Sequence, residues 1–416
     1  MRAKEYELAI IGGGPGGLAA AARAKELGLK DVIIIEREYF LGGILPQCIH
    51  SGFGLEIFKK ELTGPEYAQI FIDKIKEDRT EVMLDTMALS LDKDRTITVT
   101  GKSCGIRKIR AKSIILALGC REKTRGAINI PGSRTAGIFT AGLVQRMINI
   151  EGYLPGRKIV VLGSGDIGLI MARRLTLEGC RVEGVYELMP FSTGLKRNIY
   201  QCLDDYGIPL FLSHTVTNIY GKNRLQEVEI SEVDRHLNIL KTKKKIECDT
   251  LLLSVGLIPE NELSKTCGTE IDGYSGGPVV DENLMTSVEG IFSCGNSLYV
   301  NDLVDNVTRD GYAAAKNAVS FIKGKAKAKA DIKVSAGNGI GYVVPHKVSG
   351  KSDVTFRIRP NIYCTIANVI IENTHFKRKK KYITPGELVF LKVKRKDFKQ
   401  YNLTEKKEIK FNLKEI

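Results

Sequence analysis

The chain has 416 residues and a formal net charge of +15. That length is enough for two or three domains with substantial cores, and no apolar run approaches the length of a bilayer-spanning helix. Nine cysteines are scattered without a C-x-x-C pair, which argues against a structural zinc or a cysteine-ligated cluster and fits a reducing compartment. The charge is uneven. Residues 321–416 carry 23 Lys and Arg against 8 Asp and Glu, and the remainder balances at 40 of each. The basic character thus belongs to the tail, so the whole-chain charge says nothing for nucleic-acid binding by the body.

The chain enters an apolar run at once, with no charged and apolar leader before it, so a cytoplasmic location is expected. Leu8–Ile11 reads as a buried parallel strand. Gly12-Gly13-Gly14-Pro15-Gly16-Gly17 follows, and an alanine-rich helix begins at Leu18. In this strand–G-x-G-x-x-G–helix, Gly12 permits the sharp turn and Gly14 lets a pyrophosphate reach the backbone. Gly17 lets helix and strand pack closely, and the helix N-terminus faces the phosphates. The next strand, 31–36, ends in Glu36, 24 residues after Gly12, near the position of a carboxylate that holds ribose hydroxyls. An ordinary βαβ unit with a solvated glutamate is the bland alternative.

Gly42 and Gly43 suggest backbone passing close to a flat ligand, with Cys48 placed to face it. Pro65 opens an amphipathic helix to about Lys76. Residues 82–84 read as a short strand. Thr96–Thr100 and Ile106–Ala111 read as a small antiparallel meander, and 113–119 as a separate buried strand. Residues 152–157 look like a boundary. Directly after it, Lys158–Leu162 runs into Gly163-Ser164-Gly165-Asp166-Ile167-Gly168, and the next strand ends in Glu187, 24 residues after Gly163. Two such units at equal spacing point to two dinucleotide-binding domains. A helix follows near 195–206, then β-rich sequence around 225–234, a buried strand ending at Gly256 and another ending at Gly295-Asn296. A helix over 310–321 comes next. The alternating Lys/Ala stretch 323–330 reads as a basic linker or frayed helix end. Beyond it, 354–359, 361–371 and 388–393 read as strands of a small β domain.

These residues resemble the pyridine nucleotide–disulfide oxidoreductases. The resemblance implies an α/β chain with two Rossmann-like domains, an FAD domain carrying an inserted NAD domain, plus a small C-terminal β domain. The implied spans are 1–154 and 279–322 for FAD, 155–278 for NAD, 323–332 for the linker and 333–416 for the β domain. It places FAD on Gly12, Gly14, Pro15, Gly16, Gly17, Glu36, Arg37, Gly42, Gly43, Met87, Ala117, Gly119, Gly295, Asn296 and Val304. NAD is placed on Gly163, Gly165, Asp166, Ile167, Gly168, Glu187 and Gly256. Asn296 stands where the family usually has Asp, so it can exchange hydrogen bonds with a hydroxyl but supplies no charge. The segments 42–50, 62–68 and 301–305 look like a narrower branch of bacterial flavoprotein subunits. Such subunits are thought to work beside an FAD-dependent glycerol-3-phosphate dehydrogenase-like protein and a small cysteine-rich protein, and are akin to dye-linked amino-acid dehydrogenase subunits.

FAD would perform the hydride chemistry, so no Ser-His-Asp type constellation is expected. Glu187 favours NAD(H), because a carboxylate repels a 2′-phosphate; Arg173 and Arg174 are read as facing solvent. Cys48 is either a flavin-facing thiol that relays electrons or a small residue lining the site. No second cysteine lies close to it in sequence. Lys377–Lys381 reads as a solvated turn; a partner-docking patch and a phosphate-attracting patch are its other readings. The function expected is an FAD-dependent oxidoreductase subunit moving electrons between NAD(H) and a partner redox protein. A free-standing NADH oxidase or thiol reductase using Cys48 is the alternative. A structural or regulatory dinucleotide-binding subunit is the reading from another class.

Overall fold

The computed structural model describes residues 5–325 and 328–416; two positions of the expected linker, 326 and 327, lie outside them. The chain forms two compact units, Met1–Cys120 with Pro259–Ile416, and Arg121–Ile258.

In the first unit, Glu5–Ile11 is the middle of a sheet. It pairs in parallel with Val32–Ile35 and with Gly105–Leu116, in register Leu8↔Val32 and Leu8↔Ser113. Both faces of these strands are covered, which is why they read as unbroken apolar runs rather than alternating ones. The segment expected to be two strands is one, the 12-residue Gly105–Leu116. Its first half pairs antiparallel with Thr96–Gly101 and its second half runs parallel to Glu5–Ile11 and Ile291–Ser293. The change from mixed to apolar sequence marks the passage from a solvated meander into the sheet, since no turn residue interrupts it.

The helix Pro15–Glu26 has Pro15 in its first turn and buries Leu18 to Ala22 and Ala24. It packs on the helix Val304–Ile322 so closely that a side chain at Gly311 would overlap the Gly16 carbonyl. That second helix begins six residues before the expected position, at Val304. Its N-cap residue is Leu303, which offers no capping side chain, so the usual start signal is missing from the sequence.

The tail belongs to the first unit and has its own core around Phe356, Phe376, Phe398 and Phe411. One sheet has the order 347–348, 332–336, 408–415, 364–371, 377–383, and a second the order 340–344, 354–360, 389–393. The basic run is not a turn. Lys377–Ile383 is an edge strand paired with Cys364–Ile371, in register Ala367↔Lys380 and Val369↔Arg378. Backbone pairing imposes the strand, and lysines along an open edge oppose further pairing.

The second unit holds a parallel five-stranded sheet, Leu210–Leu212, Arg181–Glu187, Lys158–Leu162, Thr250–Leu253 and Ile138–Thr140 in spatial order. An antiparallel sheet of His214–Gly221, Leu225–Glu232 and Lys244–Glu247 accompanies it. Among the described residues no helix is long and apolar enough to cross a membrane.

Candidate functional site

The three glycine positions of the first loop are required for different reasons. Gly12 has φ +105°, and a side chain there would overlap the Ala117 carbonyl. A side chain at Gly17 would overlap the Gly12 carbonyl. Gly14 is different. Its backbone, φ −76° and ψ −175°, suits any residue, and a Cβ would meet nothing nearer than the Gly43 Cα at 3.7 Å. The protein itself leaves room for a side chain at Gly14. A glycine kept beside a helix N-terminus with spare N–H groups is the cradle a pyrophosphate needs.

The other expected residues gather around this loop. Gly42 donates its N–H to the Gly13 carbonyl at 2.9 Å, and Gly43 lies against Gly14. Glu36 is buried; its carboxylate accepts from the N–H groups of Gly13 at 2.6 Å and Glu38 at 2.9 Å. That fixes the carboxylate at the edge of the loop and leaves lone pairs for hydroxyls. Met87 is half-exposed beside Thr86, whose N–H reaches the Glu36 carbonyl at 2.9 Å. Arg37 is exposed. Ala117 donates to the Ile11 carbonyl, and Gly119, φ +75°, has nothing within 4 Å of a Cβ.

Gly295 and Asn296 reach the same neighbourhood through Cys294, which hydrogen-bonds the Leu116 carbonyl and lies 3.5 Å from a Cβ at Gly16. The Asn296 side-chain oxygen Oδ1 accepts from the Asn301 N–H at 3.0 Å, and its side-chain amide nitrogen approaches the Cys120 sulfur at 3.5 Å. The Asn301 side-chain oxygen is buried with no hydrogen-bond partner among the described residues. The open cradle at Gly14 and this orphaned acceptor both fit a bound, hydroxyl-bearing dinucleotide. Cys120 was missed in the sequence; its one signal was its place directly after Gly119.

Cys48 is buried and donates to the Ile44 carbonyl at 3.3 Å. Burial pushes its thiol up to about 12, so it is a thiol rather than the thiolate a redox nucleophile requires. It packs against the start of the helix Gly64–Glu77, where Gly64 donates to the Cys48 carbonyl at 2.9 Å. His50 bonds the neighbouring Ser51 carbonyl, a loop contact. Cys294 is fully buried, and burial raises its thiol as well.

The second unit repeats the design. A side chain at Gly163, φ +94°, would overlap the Ser254 carbonyl, and one at Gly168 would lie 2.7 Å from the Ser254 Cβ. At Gly165 the nearest atom is the Ser254 hydroxyl at 3.4 Å. Glu187 is buried and accepts from the Ser164 N–H at 2.8 Å, the Ser164 hydroxyl at 2.6 Å and the Met189 N–H at 2.9 Å. The pair of N–H donors matches that of Glu36, one from the residue after the first glycine and one from two residues downstream.

Asp166 is committed to the fold, because one oxygen accepts from the Leu195 N–H and the Asn198 amide at 2.8 and 2.7 Å. Ile167 is half-buried beside it, and Gly256 has φ +105°. Arg173 and Arg174 do not simply face solvent. Both are half-buried; Arg173 bonds the Tyr206 hydroxyl, and Arg174 bonds Asn149 and pairs with Glu178.

A family model described as pyridine nucleotide-disulphide oxidoreductase matches residues 6–320. The hydrogen cyanide synthase subunit HcnB of Pseudomonas protegens is 26% identical, over 64% of this chain and 60% of that protein. An opine oxidase subunit from Agrobacterium tumefaciens is 23% identical, over 70% of this chain and 61% of that protein. The chain thus spans less than two thirds of the length of these relatives. Among solved structures, the thioredoxin reductase of T. acidophilum superposes with a TM-score of 0.61 at 22% identity, covering 76% of this chain and 98% of that one. That likeness is one of fold.

Proposed function

The chain belongs to the pyridine nucleotide-disulphide oxidoreductase family, and we propose from that premise that it is a flavoprotein subunit passing electrons between NAD(H) and a partner redox protein. Members of the family use FAD and NAD(P)H, and the chain is an FAD-dependent oxidoreductase. The observation that carries the finer reading is the doubled site. Each unit has a glycine with space where a dinucleotide needs it, and a buried glutamate fixed by the same pair of N–H donors.

In this reading FAD lies on the first loop and NADH on the second. When bound, FAD supplies the hydride acceptor. The loop amides and helix N-terminus bind its pyrophosphate, Glu36 holds a ribose, and the Gly295–Asn296 turn meets the ribityl hydroxyls. Glu187 accepts from the adenosine ribose of NADH and repels a 2′-phosphate. No arginine of the following helix competes, since Arg173 and Arg174 are engaged elsewhere.

The partner assignment rests on resemblance. The cyanide synthase and opine oxidase relatives are named as subunits, and the partner expected here is a dehydrogenase-like flavoprotein with a small cysteine-rich protein. The free-standing thiol reductase is disfavoured by the protonated, buried state of Cys48. Anaerobic addition of NADH to the yellow protein tests the core of the reading: bleaching is expected. Absence of bleaching by either nicotinamide nucleotide would leave the binding-subunit reading in its place. Mass spectrometry of the native complex tests the partner; a chain recovered alone with full thiol-reductase turnover would refute it.

A further inference from the structure

The family match ends at residue 320, yet two half-buried arginines beyond it pack against the body of the first unit. Both lie on Val354–Pro360, whose pattern alternates strictly between buried and half-buried residues. Phe356 and Ile358 point into the core of the tail. Arg357 and Arg359 point the other way, at the segment leading into the helix Val304–Ile322.

Arg357 donates to Asp310 at 2.6 Å and to the Tyr299 hydroxyl at 3.2 Å, and Tyr299 itself bonds Asp310. Arg359 makes four hydrogen bonds with its five-donor fork. It donates to Asp302 and to the Val300 carbonyl at 2.8 Å each, to the Tyr342 hydroxyl at 3.3 Å and to the Pro385 carbonyl at 3.1 Å. The other Asp302 oxygen accepts the Leu388 N–H at 2.7 Å. The side chains of Arg359 and Asp302 are only 14% and 15% exposed. Burial would discourage the guanidinium charge, but Asp302 and Tyr342 outweigh it and hold Arg359 protonated.

Asp302 sits between two residues of the candidate site. Asn301 donates its N–H to Asn296, and Val304 begins the helix two residues on. That helix has no capping side chain, so its start is not fixed by its own sequence. It is fixed from outside: Asp305 accepts from the Tyr67 hydroxyl and the Glu56 N–H, and Asp302 is clamped by the tail.

We propose that Arg359, through Asp302, is a positioning residue for the flavin face, so that the tail completes the FAD site rather than forming a separate module. The proposal rests on the reading that FAD occupies the first unit. A planar five-donor fork can hold an aspartate, two carbonyls and a phenol at once; a lysine cannot.

The test is reconstitution of the apoprotein with FAD, followed by flavin fluorescence and by the absorption envelope of the bound flavin. Four variants are compared with the parent: Arg359→Lys, Asp302→Asn, Ser349→Ala and Gly14→Ala. Ser349→Ala removes another link between tail and body, the hydrogen bond its hydroxyl donates to Glu282 at 2.7 Å, away from the 296–304 segment. Asp302→Asn keeps the shape of the site and decides the matter by itself should Arg359→Lys not fold.

Loss of a charged, buried hydrogen bond predicts that Asp302→Asn and Arg359→Lys each raise the FAD Kd by about tenfold or more. Their bound spectra should move toward that of free FAD, while Ser349→Ala leaves Kd and spectrum as in the parent. A Kd for Asp302→Asn no weaker than that of Ser349→Ala overturns the proposal, because the clamp is then general stability alone. Gly14→Ala separates the two levels of the argument. If it binds FAD normally, the placement of FAD fails. If it releases FAD while Asp302→Asn does not, only the clamp fails.

Discussion

Gly14 and Gly17 are three residues apart in one loop, and alanine should act on them in opposite ways. A methyl group at Gly17 overlaps the Gly12 carbonyl and lies 3.0 Å from its carbon, with the Ile10 methyl at 3.2 Å. Those neighbours are backbone and a packed core side chain, so they cannot yield cheaply. Overpacking of this kind costs about 1–3 kcal/mol or more. At Gly14 the methyl finds its nearest atom at 3.7 Å, ordinary contact, and the extended backbone already suits alanine. Removing glycine there stiffens only the unfolded chain, worth about 0.4–1 kcal/mol in favour of folding. The apoprotein of Gly14→Ala should therefore be as stable as the parent or slightly more so, and Gly17→Ala clearly less. FAD affinity should fall at least about tenfold in Gly14→Ala, equivalent to about 1.4 kcal/mol, because the methyl occupies the pyrophosphate's approach. Denaturant unfolding of the two apoproteins and FAD titration of Gly14→Ala supply the three measurements. Parent-like FAD binding by a stable Gly14→Ala protein would refute the reasoning, since the space at Gly14 would then serve no ligand.

Three further outcomes follow from the same geometry. The parent should use NADH in preference to NADPH, and Glu187→Gln should narrow the ratio of kcat/KM values for flavin reduction by at least about tenfold. It should also cost about 1–3 kcal/mol of stability, because an amide nitrogen cannot accept from Ser164 or Met189; an unchanged nucleotide ratio would remove Glu187 from specificity. Cys48→Ser should leave the NADH-to-dye rate within about tenfold of the parent, a barrier change below about 1.4 kcal/mol. Slowing by orders of magnitude with FAD still bound would bring the thiol into the mechanism. Finally, burial raises the Cys48 and Cys248 thiols from 9.0 to about 12. Between those values the unfolded chain loses the protons and the folded chain keeps them. Stability is thus intact below pH 9 and falls as pH rises toward 12, by up to about 1.4 kcal/mol per unit for each thiol. Unfolding curves from pH 8 to 11 would check this. A flat profile would mean that the thiols are solvated.

Local chemistry made part of this protein legible in one dimension. An apolar run, three glycines, a helix and an acid at a set interval are neighbours in sequence, and steric demand at Gly12, Gly17, Gly163 and Gly168 allows no other residue. Both glycine-loop units were readable for that reason, whereas the free space at Gly14, which sets it apart from Gly12 and Gly17, appears only in the structure. What depends on partners far along the chain was not readable. The helix start at Val304 carries no cap of its own and is held by Tyr67, Glu56, Arg359 and Leu388. The run Lys377–Lys381 has no strand signal; it becomes an edge strand because Cys364–Ile371 offers it a backbone ladder. The hydrogen bonds that Leu195 and Asn198 donate to one oxygen of Asp166 could not be read from the loop. Cys48 could be read either as a relay thiol or as a lining residue, and its burial, which raises the thiol to about 12, depends on the packing of the helix Gly64–Glu77. Side-chain identity and spacing set the two binding loops, whereas burial and long-range hydrogen bonds decided which polar groups remain available to a ligand.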